Sequence, residues 1–148
     1  MICQELIQVH QTFQTQDEVF DYLARLVTQE GYATDVKQVV EALCEREAQS
    51  TTGMMDGYAI PHAKSPAILK PAIVVLTLEE GIDWHSLDGQ ATRYILALFI
   101  PETEAGSTHL TLLSQLARLL MRREFKHQFE AAKTSQDLKN LLETFLGV

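Results

Sequence analysis

The sequence has only two cysteines, Cys3 and Cys44. They form no C-x-x-C pair and no metal-ligand pattern surrounds them, so two reduced, partly buried thiols are expected instead of a disulfide framework. Apolar runs are short. None approaches the ~20 residues that cross a bilayer, so no direct membrane insertion is expected. The N-terminus has no basic segment leading into an apolar core, which predicts no signal peptide. Basic residues are also in deficit: 12 Lys and Arg against 20 Asp and Glu give a net charge of -8. That balance argues against nucleic acid as the partner, which wants a basic face, and suits a protein partner carrying a basic patch. These features predict a cytoplasmic protein. Hydrolase signatures are missing as well. There is no G-x-S-x-G elbow. A metal hydrolase built on His62, His109 and either His85 or Asp56 lacks H-E-x-x-H or carboxylate–histidine spacing, so no metal is expected.

What is present is the composition of an ordinary globular chain, 46% hydrophobic and 22% charged. A chain of 148 residues predicts one domain, residues 1–148, able to bury ~70% of its unfolded surface without a metal or disulfide staple. Leu6-Ile7-Gln8-Val9 predicts a short first strand. Thr15-Gln16-Asp17-Glu18 is a capping-box pattern, and Val19, Tyr22, Leu23, Leu26 and Val27 follow at helical spacing, so residues 16–30 are expected as a helix ended by Gly31. Thr34 or Asp35 caps a second helix whose buried face holds Val36, Val39, Val40, Leu43 and Cys44, and whose C-terminal end carries Arg46. Residues 71–78 and 94–100 read as buried strands. Gly81 and Asp88-Gly89 are turn signals, with Ile82, Trp84 and Leu87 between them covering the sheet. A long helix capped by Ser107 or Thr108, a short one over 124–132 and a last one capped by Thr134 or Ser135 complete the chain. No repeat or linker interrupts it. The order β-α-α-β-β-β-α-α-α predicts an α/β fold of three layers, α/β/α.

The most informative stretch is Gly57-Tyr58-Ala59-Ile60-Pro61-His62-Ala63-Lys64. Tyr58-Ala59-Ile60 suits an extended segment, and Pro61 cannot donate to a sheet ladder, so the strand is expected to stop there. His62 then lies just past a strand end, with its imidazole facing solvent from a rigid support. Catalytic residues favour such positions.

Arg46-Glu47-Ala48-Gln49-Ser50-Thr51-Thr52-Gly53, followed by Gly57-Tyr58-Ala59-Ile60-Pro61-His62-Ala63, resembles the enzyme IIA signature of the bacterial sugar phosphotransferase system, fructose/mannitol type. The match continues through Asp88-Gly89-Gln90 and Ile100-Pro101 to Gly106-Ser107-Thr108-His109-Leu110. It covers residues from about 5 to 145. The resemblance implies a mixed sheet of about four to five strands flanked by helices. It also implies that His62 takes a phosphoryl group from the histidine phosphocarrier protein and passes it to a IIB component, which serves a membrane IIC component in sugar uptake. The nitrogen-related IIA branch of the same family implies an alternative, in which the phosphorylation state governs partner binding and no sugar moves.

The residues themselves suit that chemistry, which calls for no cofactor. Neutral imidazole is nucleophilic near pH 7 and forms a P–N bond that stays reactive. Phosphoryl transfer is mostly positioning and charge stabilisation. His109, about one residue past the cap of the long helix, sits where free N–H groups and the helix dipole favour an anion. Arg46 offers a rigid fork of donors for phosphate oxygens. Thr51 and Thr52 could add hydroxyl or backbone donors, with no choice between them. Met54 and Met55 suit either an apolar docking rim or the core. His85, after Trp84, reads as a packed surface feature in a turn. His10 and His127 have no recognisable partner in the sequence, and the basic stretch Arg118, Arg122, Arg123, Lys126 and His127 reads as a solvated helix end.

Overall fold

The computed structural model describes residues 2–104 and 107–147, and for residues 107–109 the backbone alone. A five-stranded mixed sheet runs through the middle, built from β1 (Ile7–Gln11), β2 (Tyr58–Ala59), β3 (His62–Ser65), β4 (Ala72–Ile82) and β5 (Thr92–Pro101). β1 pairs parallel with β4, β4 antiparallel with β5, and the short β2 and β3 follow one another along the far side of β5, both parallel to it.

β4 and β5 are buried on both faces, which is why they read as continuous apolar runs. Successive side chains alternate between faces. Ile95, Ala97 and Phe99 enter one core with α1 (Gln16–Gln29), α2 (Val36–Gln49) and Trp84. Leu96, Leu98 and Ile100 enter the other with α3 (Ser107–Leu119), α4 (Arg123–Ala131) and α5 (Ser135–Leu146). The fold is therefore the expected three-layer α/β/α arrangement. A fully buried Leu or Phe such as Leu98 or Phe99 contributes about 1.5–3 kcal/mol by leaving water.

The helix starts follow local chemistry. Thr15, Asp35 and Thr134 each accept a hydrogen bond from the backbone N–H three residues on, satisfying donors that the first turn leaves open. Glu18 departs from the capping box: its carboxylate accepts from Gln14 N at 3.3 Å, one residue before the cap. Gly31, at φ +84°, takes the left-handed position after α1.

Four sequence expectations are corrected. The first strand begins at Ile7, because Gln4–Leu6 form a 3-10 turn ahead of it. Cys44 is exposed, since α2 packs against α1 and β3 along a face narrow enough that only Val39 and Leu43 are fully buried. Gly81 does not end a strand. It lies within β4, where the register against β5 shifts between Thr77 and Ile82 and where a Cβ would sit 2.7 Å from that of Ala91. Leu87 faces solvent at 66% exposure, leaving Ile82 and Trp84 to cover the sheet. The Asp88-Gly89 turn forms as read, with Gly89 at φ +75°.

Candidate functional site

The sequence order missed one element, and it carries His62. β2 ends at Ala59, as a proline two residues on requires, but the chain resumes pairing at once. Pro61 O accepts from Leu98 N at 3.0 Å, and His62 opens β3 opposite Leu98. His62 is consequently a strand residue at 6% exposure, not a loop residue facing solvent. The parallel neighbour β5 supplies the pairing that the local sequence around Pro61 does not reveal.

Both ring nitrogens of His62 are engaged. Nδ1 lies 3.0 Å from Ile60 O, and Nε2 lies 2.9 Å from Arg46 Nε. An arginine Nε–H can only donate, so Nε2 is the acceptor and carries a lone pair. The ring proton is then on Nδ1, donated to the Ile60 carbonyl. These two contacts select one tautomer of the neutral imidazole, with Nε2 as the nucleophilic atom.

Arg46 reaches His62 from the last turn of α2. Its Nη1 donates to Ser50 O at 2.8 Å, which satisfies a carbonyl at the helix end and fixes the guanidinium plane. Ala42, Glu45, Arg46, Gln49, His62 and Lys64 line a cavity of about 250 Å³ around the ring. It is open enough to admit a phosphoryl group yet backed by buried strand.

Thr51 and Thr52 lie beside this cavity but do not line it. Thr51 Oγ1 donates to Trp84 O and accepts from Gly53 N, both at 3.0 Å. Thr52 donates twice to the Glu47 carboxylate, through N at 2.7 Å and Oγ1 at 2.6 Å, and accepts from Trp84 Nε1 at 3.0 Å. Their hydroxyls thus hold the 50–53 loop and not an open anion position. Gly53 is required by close approach, because a Cβ there would stand 2.5 Å from Ser86 Oγ. The side chain of His109 lies outside the described residues, and its backbone belongs to the first turn of α3. Glu47, present in the sequence between Arg46 and Ala48, was given no role. A carboxylate five residues before a threonine, at a helix end, was the available signal.

The remaining candidates lie in other surroundings. His10 faces Glu79 at 3.2 Å and His85 faces Asp83 at 3.7 Å, both well exposed. His127 lines a larger cleft of about 450 Å³ with Asp56, Gln90, Met121, Arg123, Lys126 and Glu130. Within it Lys126 Nζ meets Asp56 at 2.6 Å, and Glu130 accepts from Tyr58 Oη at 2.8 Å. Burial foremost, then Glu130, drives the Tyr58 hydroxyl far above its ordinary range, so it stays a donor. Met54 packs on the core while Met55 is half exposed. Among the described residues no cluster of three His, Cys, Asp or Glu is arranged for a metal, and no helix is long and apolar enough to cross a membrane.

The fructose-specific EIIA component of Haloferax volcanii is 31% identical over 138 residues, which cover 93% of this chain and 89% of that protein. The fructose-specific EIIABC component of Bacillus subtilis is 34% identical over 143 residues, 96% of this chain, and the chain spans only 22% of that protein's length. The crystal structure of the nitrogen regulatory protein IIA-Ntr from Neisseria meningitidis superposes with a TM-score of 0.87 at 22% identity, covering 95% of this chain and 94% of that one. The family described as "Phosphoenolpyruvate-dependent sugar phosphotransferase system, EIIA 2" matches residues 1–144, and the chain belongs to that family.

Proposed function

We propose that the chain is a single IIA phosphocarrier domain of the cytoplasm, which accepts a phosphoryl group on His62 Nε2 and hands it to a IIB component for sugar uptake and phosphorylation. The observation that carries this reading is the pair of contacts on the His62 ring. In the step itself the Nε2 lone pair attacks phosphorus, the Nε2–P bond forms, and the bond from phosphorus to the donor breaks, leaving its electron pair on the donor. The donor class is a phosphorylated histidine carrier protein. No proton leaves His62: Nδ1–H stays on the Ile60 carbonyl, which draws off part of the positive charge that the imidazolium gains.

Arg46 has two positions to fill. At rest its Nε–H covers the lone pair. As phosphorus approaches, the guanidinium must leave Nε2 and turn its fork to the phosphoryl oxygens, with Nη1 on Ser50 O as the pivot. His109, a reading supported by the resemblance of Gly106-Ser107-Thr108-His109-Leu110 to the family's motif, supplies a second donor to those oxygens from the start of α3. Thr51 and Thr52 support the site through the loop they hold. The family, and a relative whose name joins A, B and C components, support the IIB acceptor; a membrane IIC component completes the scheme.

Phosphoenolpyruvate-driven labelling of wild type and His62→Ala, with enzyme I and the histidine phosphocarrier protein, tests the reading. Acid-labile, alkali-stable label on the wild type alone is the expected result. An unlabelled wild type beside a labelled control acceptor would sink the carrier reading. Onward transfer from labelled protein to a IIB component separates the transport role from the regulatory one, since the fold is common to both.

A further inference from the structure

We propose that Glu47 is a positioning residue for this transfer, acting through Thr52 and Ile60 to hold the carbonyl that selects the His62 tautomer; the proposal rests on His62 Nε2 as the acceptor. Glu47 is next to Arg46 in the last turn of α2, and the two side chains reach the same imidazole by different routes. Arg46 touches Nε2 directly. Glu47 accepts Thr52 N at 2.7 Å and Thr52 Oγ1 at 2.6 Å, one donor on each carboxylate oxygen. The carbonyl of the same Thr52 accepts Ile60 N at 3.0 Å. The carbonyl of the same Ile60 accepts His62 Nδ1 at 3.0 Å.

Three features make this chain of contacts rigid. Charge-assisted hydrogen bonds to a carboxylate are shorter and stronger than neutral ones, and the pair on Glu47 fixes the Thr52 peptide in two directions. Trp84 Nε1 closes a third contact on Thr52 Oγ1. Pro61 restricts Ile60 to extended backbone, so anchoring the Ile60 N–H leaves its carbonyl little freedom to turn away from the ring. Without the clamp the 50–53 loop loses the residue that fixes the Ile60 N–H. Nδ1 then loses its fixed acceptor, the tautomer with the proton on Nε2 gains population, and that tautomer has no lone pair where phosphorus must arrive. Reach is the decisive property of Glu47, since its two oxygens must span two donors of one residue.

The test compares Glu47→Ala, Glu47→Asp and Glu47→Gln. Proton–nitrogen correlation spectra of the His62 ring, taken above the pH at which the imidazole titrates, report the tautomer directly. Wild type should show the proton on Nδ1. Glu47→Gln keeps the reach but exchanges one acceptor oxygen for an amide NH2 and removes the charge, so it should fall between wild type and Glu47→Ala in spectrum and rate. Glu47→Asp keeps the charge but is one methylene short; with Glu47→Ala it should show mixed tautomers and a kcat for phosphorylation about 10- to 100-fold lower, with KM for the phosphorylated donor unchanged. A wild-type tautomer and kcat in both Glu47→Asp and Glu47→Gln would overturn the proposal, as would a loss confined to KM. Because Asp and Gln both preserve a polar side chain, the comparison decides the question even if Glu47→Ala fails to fold. If wild type accepts no phosphoryl group, the carrier reading fails by itself, while the spectra still show whether Glu47 sets the tautomer.

Discussion

Arg46 and His62 are sixteen residues apart in sequence and meet Nε to Nε2 at 2.9 Å, so the nucleophilic nitrogen rests under a guanidinium donor until a phosphoryl group displaces it. That contact gives Arg46 a role no point charge can reproduce. Arg46→Lys should retain the positive charge, lose the Nε contact that fixes the tautomer and the Nη1 anchor on Ser50, and slow phosphorylation about 100-fold. Single-turnover transfer rates from a phosphorylated donor would check it. A rate equal to wild type would reduce Arg46 to a generic cation.

His62→Ala should lose all phosphoryl acceptance and also some stability. The ring is buried and bridges Ile60 to Arg46, so its removal strands a carbonyl and a guanidinium at a cost of about 1–3 kcal/mol. Urea unfolding measures this, and a midpoint unchanged from wild type would contradict the burial.

Gly53→Ala tests the loop that the Thr51 and Thr52 contacts hold. The new Cβ would meet Ser86 Oγ at 2.5 Å and Ser86 Cα at 2.9 Å, and backbone must move to make room. A loss of about 1–3 kcal/mol is expected from overpacking, together with slower transfer as the Thr52–Ile60 contact shifts. Thermal unfolding and labelling rates on the same preparation would show both effects.

All four tyrosines titrate above their ordinary value of 10.0: Tyr32 rises to about 12 through Cys3 and burial, Tyr22 and Tyr94 through burial, and Tyr58 furthest, through burial and Glu130. A group whose folded pKa is raised adds stability that is full below its unfolded pKa and fades as pH rises towards the folded one. The unfolding midpoint should therefore hold up to about pH 10 and fall above it. Tyr58→Phe should flatten that alkaline fall while costing about 1 kcal/mol at neutral pH through the lost Glu130 contact. Phenolate absorbance and unfolding midpoints against pH check the two statements.

Much of the fold was legible because local signals coincided with it. Thr15, Asp35 and Thr134 cap helices at the positions their side chains favour, and the apolar runs of β4 and β5 are those of strands covered on both faces. Cys44 and Leu87 were placed inward and lie outward, because periodicity names a face but not how wide the neighbour that covers it is. Gly81 was taken for a turn because its lack of a side chain serves a close cross-strand approach equally well.

At the site, the residue types were determined by the sequence alone: a histidine after Ile-Pro, an arginine at the end of the preceding helix and a loop of threonine and glycine. The tertiary structure decided what they do. Only pairing with β5 makes His62 a buried strand residue, since strand pairing is a long-range event that Pro61 conceals locally. Only the approach of α2 to β3 brings Arg46 onto Nε2, and only the backbone contact from Ile60 N to Thr52 O ties the local Glu47–Thr52 clamp to the ring. Hydrogen-bond direction then follows from donor chemistry, and with it the nitrogen that is free of a proton, because an arginine Nε–H and a backbone carbonyl admit one tautomer between them.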